Sequence, residues 1–110
     1  MIKSIPWYTI TINMEIVFTS AYETWYSKLK DINAKARIAR QLRRFENGNY
    51  GDVKPVGEGV SETRIDYGPG YRLYHKKQGN TIIVLLLGGD KSTQANDIKK
   101  AKAIAKEHSL

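Results

Sequence analysis

Cysteine is absent from this 110-residue chain, which excludes disulfides, thiolate nucleophiles and every zinc site that depends on sulfur, and fits a reducing compartment. Histidine is scarce: His75 and His108 each stand alone, so no HExxH or paired-histidine arrangement is available to bind metal. Long apolar runs are missing too. The longest, Ile82 to Leu87, falls far below the roughly 18–20 residues that cross a bilayer. After Lys3 the N-terminal apolar residues are interrupted by Pro6, Thr9, Thr11 and Asn13, which leaves no continuous segment for a signal peptide. A soluble, cytoplasmic protein with no membrane partner is the expectation. GxxxxGK(S/T) and GxGxxG are also absent, so no nucleotide cofactor and no metal is expected.

What is present suits one folded domain. Hydrophobic residues make up 41% and charged residues 26%, far from the composition of disordered chains. Lys and Arg number 18 against 11 Asp and Glu, a net charge of +7, which at this size points to a polyanionic partner such as nucleic acid, the ribosome or an acidic protein. Much of the excess lies in residues 28–54, where Lys28, Lys30, Lys35, Arg37, Arg40, Arg43, Arg44 and Lys54 face only Asp31, Glu46 and Asp52. Such a run is usually a solvated helix face, and here it also suits a nucleic-acid or acidic-partner surface.

Periodicity orders the chain as β-α-α-β-β-β-β-α. Every even position from Tyr8 to Phe18 is apolar, the period-two mark of one long half-buried strand. Ser20-Ala-Tyr-Glu23 has capping-box spacing, and Tyr22, Trp25, Tyr26 and Leu29 follow on one helical face. Asn33 is expected to cap a second helix, with Ile38, Leu42 and Phe45 inward, Arg37, Arg40 and Arg44 outward, and Gly48 at its C′ position. Glycines then separate short strands at Asp52–Val56, Val60–Tyr67, Tyr71–Lys77 and Thr81–Leu87, an antiparallel meander whose last, wholly apolar strand is central and covered on both faces. Gly88-Gly89 is expected to stop that strand. Ala95, Ile98, Ala101, Ile104 and Ala105 form the inner face of a C-terminal helix. The fold expected is α+β: a curved antiparallel sheet of four to five strands with two N-terminal helices and one C-terminal helix.

If Gly68-Pro69-Gly70 is a three-residue loop, Tyr67 faces Tyr71, Asp66 faces Arg72, Arg64 faces Tyr74 and Glu62 faces Lys76. Glu62, Arg64, Asp66, Arg72, Tyr74 and Lys76 then share an exposed sheet face, and Thr63, Ile65, Tyr67, Tyr71 and Leu73 share the core face. His75 has core-face parity and reads as an edge packing residue, while His108 lies at the terminus. On spacing alone the charged face is favoured as plain solvation and cross-strand pairing. Its chemistry also suits RNA cleavage by the 2′-hydroxyl. Arg64, Arg72 and Lys91 are cations for the charge that develops on the phosphate. Tyr74 is a candidate proton donor or stacking platform, and Glu62 a candidate general base.

The stretch Gly48-Asn-Tyr-Gly51-Asp-Val-Lys54-Pro-Val-Gly57-Glu-Gly59, continuing from Val60 through Glu62, Arg64, Gly68-Pro69-Gly70 and Arg72 to Tyr74, closely resembles addiction-module killer proteins of the RelE/ParE toxin superfamily, in the HigB-like branch. Gly88-Gly89-Asp90-Lys91-Ser92-Thr93-Gln94 extends the likeness, which runs from Met14 into the last helix. The resemblance implies the RelE-like fold and the toxin of a type II toxin–antitoxin pair. Its partners would be a cognate antitoxin of helix-turn-helix type, the ribosome and mRNA, with operator DNA reached only through the antitoxin. It implies a ribosome-dependent endonuclease in which Arg64 and Arg72 hold basic catalytic positions and Lys91 replaces a further catalytic arginine. Lys54, Arg37, Arg40, Arg44 and Lys76 are the expected RNA- and ribosome-binding residues. Two departures leave the proton-transfer roles open: the C-terminal tyrosine of RelE would fall near Asp97, and Glu62 stands about where RelE has a lysine. Relatives begin near Met14, so residues 1–13 are expected to be an extension or an artefact of the assigned start, with 14–110 as the toxin domain. Two alternatives share the fold: a ParE-like inhibitor of DNA gyrase without nuclease activity, and a relic that only binds its antitoxin.

Overall fold

The chain builds two helices before most of its sheet, and a computed structural model describes how they meet at residues 4–5, 8–9 and 14–110. Ser4–Ile5 (β1) pairs antiparallel with Tyr8–Thr9 (β2) in a separate two-stranded ladder. The five-stranded sheet has the order β3-β7-β6-β5-β4, built from Glu15–Phe18 (β3), Asp52–Gly57 (β4), Val60–Ile65 (β5), Tyr71–Gln78 (β6) and Ile82–Asp90 (β7). The long strand expected from Tyr8 to Phe18 does not form as one element. Its beginning belongs to the small ladder, positions 10–13 lie outside the described residues, and only β3 joins the main sheet.

β4 to β7 form the expected meander, but β3 runs parallel to β7, with Glu15 opposite Ile82 and Phe18 opposite Leu85. The sheet is therefore mixed. β7 lies between two strands and is covered on both faces, whereas β6 is the middle strand and is equally buried through Tyr71–His75. β4 is an outer strand. Its Pro55 has no N–H to offer, and the Val53 N–H is bonded back to the Gly51 carbonyl.

Helix α1 (Ser20–Lys28) is capped by Thr19 rather than Ser20: the Thr19 hydroxyl accepts from the Tyr22 N–H and donates to the Leu86 carbonyl at 2.7 Å. That bond explains the shift, because it ties the helix start to β7 as well as to its own amides. Helix α2 (Ile32–Glu46) is capped two residues earlier than expected, by the Asp31 carboxylate, which accepts from the Asn33 and Ala34 amides. Gly48 occupies C′ with φ +79°, and the Gly48 and Asn49 amides close onto Phe45 and Arg44, a Schellman ending. Tyr22, Ile38, Phe45, Leu73, Ile83 and Leu85 form the core between α1, α2 and one sheet face.

Helix α3 (Gln94–Glu107) covers the opposite face, packing Ala101 and Ala105 on Val60, Tyr74 and Leu86. Ala95, expected on the inner side, is exposed, because Asp97 takes the buried place in that first turn. Gly88 and Gly89 continue β7 instead of ending it. A Cβ on Gly88 would strike the Trp25 indole of α1, and one on Gly89 would strike the Asp97 carboxylate of α3. The two glycines thus let a helix close down on each side of one strand.

Candidate active site

The connection from β5 to β6 spans Asp66 to Gly70, with a turn in which the Gly70 amide donates to the Tyr67 carbonyl. It is longer than the three-residue loop expected, so the register slides by two: Ile65 faces Tyr71, Arg64 faces Arg72, Glu62 faces Tyr74 and Val60 faces Lys76. A slide of two preserves which side chains share a face. Arg64 and Arg72 become direct neighbours, and Arg72 in turn faces Gly89 on β7. Lys91 begins the single 3-10 turn that follows β7. A Cβ on Gly70 would lie 3.3 Å from an Arg72 guanidinium nitrogen and 3.7 Å from the Lys91 Cβ. Two cations from adjacent strands and a third from the turn that follows β7 are therefore gathered along one end of the sheet.

Their exposures differ. Arg64 is half exposed and pairs with Asp52 at 3.2 Å, and Lys91 is exposed. Glu62, Arg72 and Tyr74 are buried, contrary to the exposed face expected for them. The physical reason is α3, whose small Ala101 and Ala105 let it lie close over that face. Arg72 Nε sits 3.9 Å from Glu62 Oε2, and its terminal nitrogen donates to the Gly70 carbonyl at 3.0 Å. The Glu62 carboxylate also accepts from the Gln94 amide at 2.8 Å. Arg72 Nε and the Tyr74 hydroxyl are buried with no hydrogen-bond partner. Burial, with the Glu62 and Asp97 carboxylates nearby, pushes the Tyr74 phenol well above the ordinary tyrosine range, so it keeps its proton at neutral pH.

Gln94 and Asp97 were not legible as members of this cluster, although Gly89 was a signal: a glycine within a buried strand marks the close approach of another group. Thr93 donates to Asp97 Oδ2 at 2.5 Å, fixing the carboxylate against Gly89. Of the expected RNA-binding residues, Arg37, Arg40 and Arg44 are exposed on α2 and line a cleft of about 270 Å³ with Arg64. Arg37 also stacks over the Tyr67 ring at 4.5 Å. Lys54 and Lys76 lie elsewhere: Lys54 lines a separate cleft with Tyr50 and Lys77, and half-buried Lys76 donates to the Glu58 carbonyl. His75 is a packing residue as expected, but within the sheet rather than at its edge. It lies between Phe45 and Tyr50, with Nε2 2.8 Å from the Thr63 hydroxyl. Among the described residues no three His, Cys, Asp or Glu side chains are grouped to hold a metal ion, and no helix is long and apolar enough to cross a membrane.

No family model matches the chain. It is 48% identical over 99 residues to an uncharacterized protein of Haemophilus influenzae, covering 90% of this chain and 100% of that protein. Among solved structures, the Escherichia coli toxin RelE in the free state, with two arginines changed to alanine, is similar with a TM-score of 0.65 at 13% identity, over 84% of this chain and 96% of RelE. The toxin–antitoxin complex RelBE2 of Mycobacterium tuberculosis matches with a TM-score of 0.49 at 18% identity, over 76% of this chain and 97% of that one.

Proposed function

Because the chain belongs to the family of the uncharacterized Haemophilus influenzae protein and has the fold of the RelE toxin, we propose that it is the toxin of a type II toxin–antitoxin pair, of the HigB-like branch, and that it cuts mRNA on the ribosome in the cytoplasm. Residues 14–110 carry the activity, and a cognate antitoxin of helix-turn-helix type neutralises it. The observation that supports the reading best is the row of Arg64, Arg72 and Lys91 along one end of β5, β6 and β7, with the Glu62 carboxylate behind Arg72.

In the reaction the 2′-oxygen of a ribose bonds to the adjacent phosphorus while the bond from phosphorus to the 5′-oxygen breaks, giving a cyclic phosphate and a free 5′-hydroxyl. Charge builds on the non-bridging oxygens, and preorganised cations in a partly desolvated site stabilise it where it develops. Arg64 and Lys91 reach solvent and meet the phosphate first. Arg72, held by Glu62 and the Gly70 carbonyl, presents a guanidinium whose direction is already set. Glu62 takes the 2′-hydroxyl proton and the Tyr74 phenol gives one to the 5′-oxygen. Glu62 lies beneath Gln94, whose amide must leave it for substrate to approach, and Tyr74 lies under Ala101 and Ala105, so α3 must lift for its phenol to be reached. The exposed Arg37, Arg40 and Arg44 extend the cationic surface from Arg64 along α2 and hold the ribosomal RNA or message backbone.

Primer extension on cellular mRNA after brief induction without antitoxin tests the reading. New 5′ ends inside translated frames, lost when translation is blocked, are expected. Intact mRNA with growth arrest and DNA-damage signalling would overturn it in favour of gyrase, and no arrest at all in favour of an inactive antitoxin binder.

A further inference from the structure

β3 ends at Phe18, opposite Leu85, so the last part of β7 has no strand neighbour on that side. Beside Leu87 and Gly88 opens a cleft of about 470 Å³ between α1 and α3, within the size range of small-molecule sites. Trp25 stands on the α1 side and Asp97 on the α3 side, brought in by Gly88 and Gly89 respectively. Lys28 and Lys100 also line the cleft, and neither is ion-paired among the described residues.

Each wall has a distinct chemistry. Trp25 is half-buried and offers a broad aromatic surface beside the strand. Asp97 is almost wholly buried, and Thr93 is its one side-chain donor among the described residues, at Oδ2. An ionised carboxylate is acceptor-only, with about four lone-pair sites, so most of its capacity is left for a ligand that brings N–H donors. Two unpaired ammonium groups add a preference for anions. Of the common RNA bases, guanine alone presents two adjacent N–H donors on its Watson–Crick edge, one on the ring and one on the exocyclic amine.

We propose that this cleft seats one guanine nucleotide of the RNA, its base against Trp25, its N–H edge on Asp97 and its phosphate between Lys28 and Lys100. The inference rests on the nuclease reading for the identity of the polymer. Asp97 abuts Gly89, and Gly89 faces Arg72 across β7 and β6, so the cleft lies directly beside the cation row. A base held there fixes which phosphate meets Arg72, and Asp97 becomes a specificity-determining residue.

The test is a fluorescence titration of the whole protein with 5′-GMP, 5′-AMP, 5′-CMP and 5′-UMP, in a Trp7→Phe background so that Trp25 is the reporter. The expected result is quenching by 5′-GMP with an affinity about tenfold above the other three. Asp97→Asn replaces an acceptor with a donor on one side of the group and is expected to erase that preference. Lys28→Glu with Lys100→Glu, at surface positions, is expected to weaken all four nucleotides and leave their order unchanged. Equal binding of the four, no quenching by any, or an unaltered guanine preference in Asp97→Asn overturns the inference. So does an Asp97→Asn protein that titrates normally but loses its antitoxin, which would make the cleft a protein-docking surface. The wild-type and lysine-variant titrations decide the matter if Asp97→Asn does not fold. Intact cellular mRNA together with a guanine preference would remove the nuclease reading and keep the site. Cut mRNA with no mononucleotide preference would do the reverse.

Discussion

Arg72 and Glu62 form an ion pair with almost no water around either side chain: 3.9 Å separates Nε from Oε2, and their side chains are 5% and 2% exposed. Removing one member of a buried pair leaves the other charge uncompensated, at about 3–5 kcal/mol, whereas replacing both with apolar groups is often neutral. Arg72→Ala is therefore expected to lower the urea midpoint sharply and to abolish growth arrest. The double variant Arg72→Met with Glu62→Leu is expected to regain much of the midpoint and none of the arrest. Recovered stability with recovered arrest would remove both residues from the active site.

Lys91 and Arg64 separate activity from stability. Both reach solvent, so Lys91→Ala and Arg64→Ala are expected to shift stability by no more than about 0.5 kcal/mol. If the proposed reaction holds, each removes a cation that stabilises the developing phosphate charge, and cleavage on programmed ribosomes is expected to fall about a hundredfold or more. Single-turnover cleavage beside thermal melting checks both halves. Wild-type cleavage in Lys91→Ala would take that residue out of the cation row.

Burial holds His75 down, from the ordinary value of 6.5 to about 4. The unfolded chain binds this proton below about pH 6.5 while the folded protein refuses it until about pH 4. Stability from this group is thus complete above pH 6.5 and is lost as pH falls toward 4, by roughly 3 kcal/mol over the window. Urea midpoints measured from pH 7.5 down to 4.5 are expected to show this slope, and His75→Gln is expected to flatten it. An equally steep slope in the variant would assign the effect to other groups.

Gly88 lets α1 pack directly against β7. A methyl group there collides with the Trp25 indole, and overpacking of this kind typically destabilises by about 1–3 kcal/mol. Gly88→Ala is expected to lower the melting midpoint by several degrees, and Trp25→Leu in the same protein to restore part of the loss. No change on Gly88→Ala alone would mean that α1 can move off the strand freely.

The meander was readable because Asp52–Val56, Val60–Tyr67 and Tyr71–Lys77 are short β-rich runs between glycines, and three of the observed strands begin within them. Which residues share a face with Arg64 and Arg72 was readable too, since a shift of two leaves parity intact. Three things were not. The depth of Glu62, Arg72 and Tyr74 depends on α3 lying across them, and their own alternation looks the same for a covered face as for a wet one. The parallel partner of β3 is set by contacts far along the chain, which local periodicity does not carry. Gly88-Gly89 resembles a stop because glycine weakens strands in isolation, yet here the missing side chains make room for Trp25 and Asp97. The Gln94 amide over the Glu62 carboxylate is a contact that no spacing encodes.

The pairing of β3 with β7 also sets a time of maturity. Thr19 at the start of α1 bonds to Leu86, 67 positions further along, and a contact of that range forms only after the chain between has been made. Lys91 and Gln94 follow later still. A chain made only as far as Leu86 has Arg64 and Arg72 in hand but neither Lys91 nor the helix that buries Glu62, so the third cation and the cover over that carboxylate are the last parts to be added.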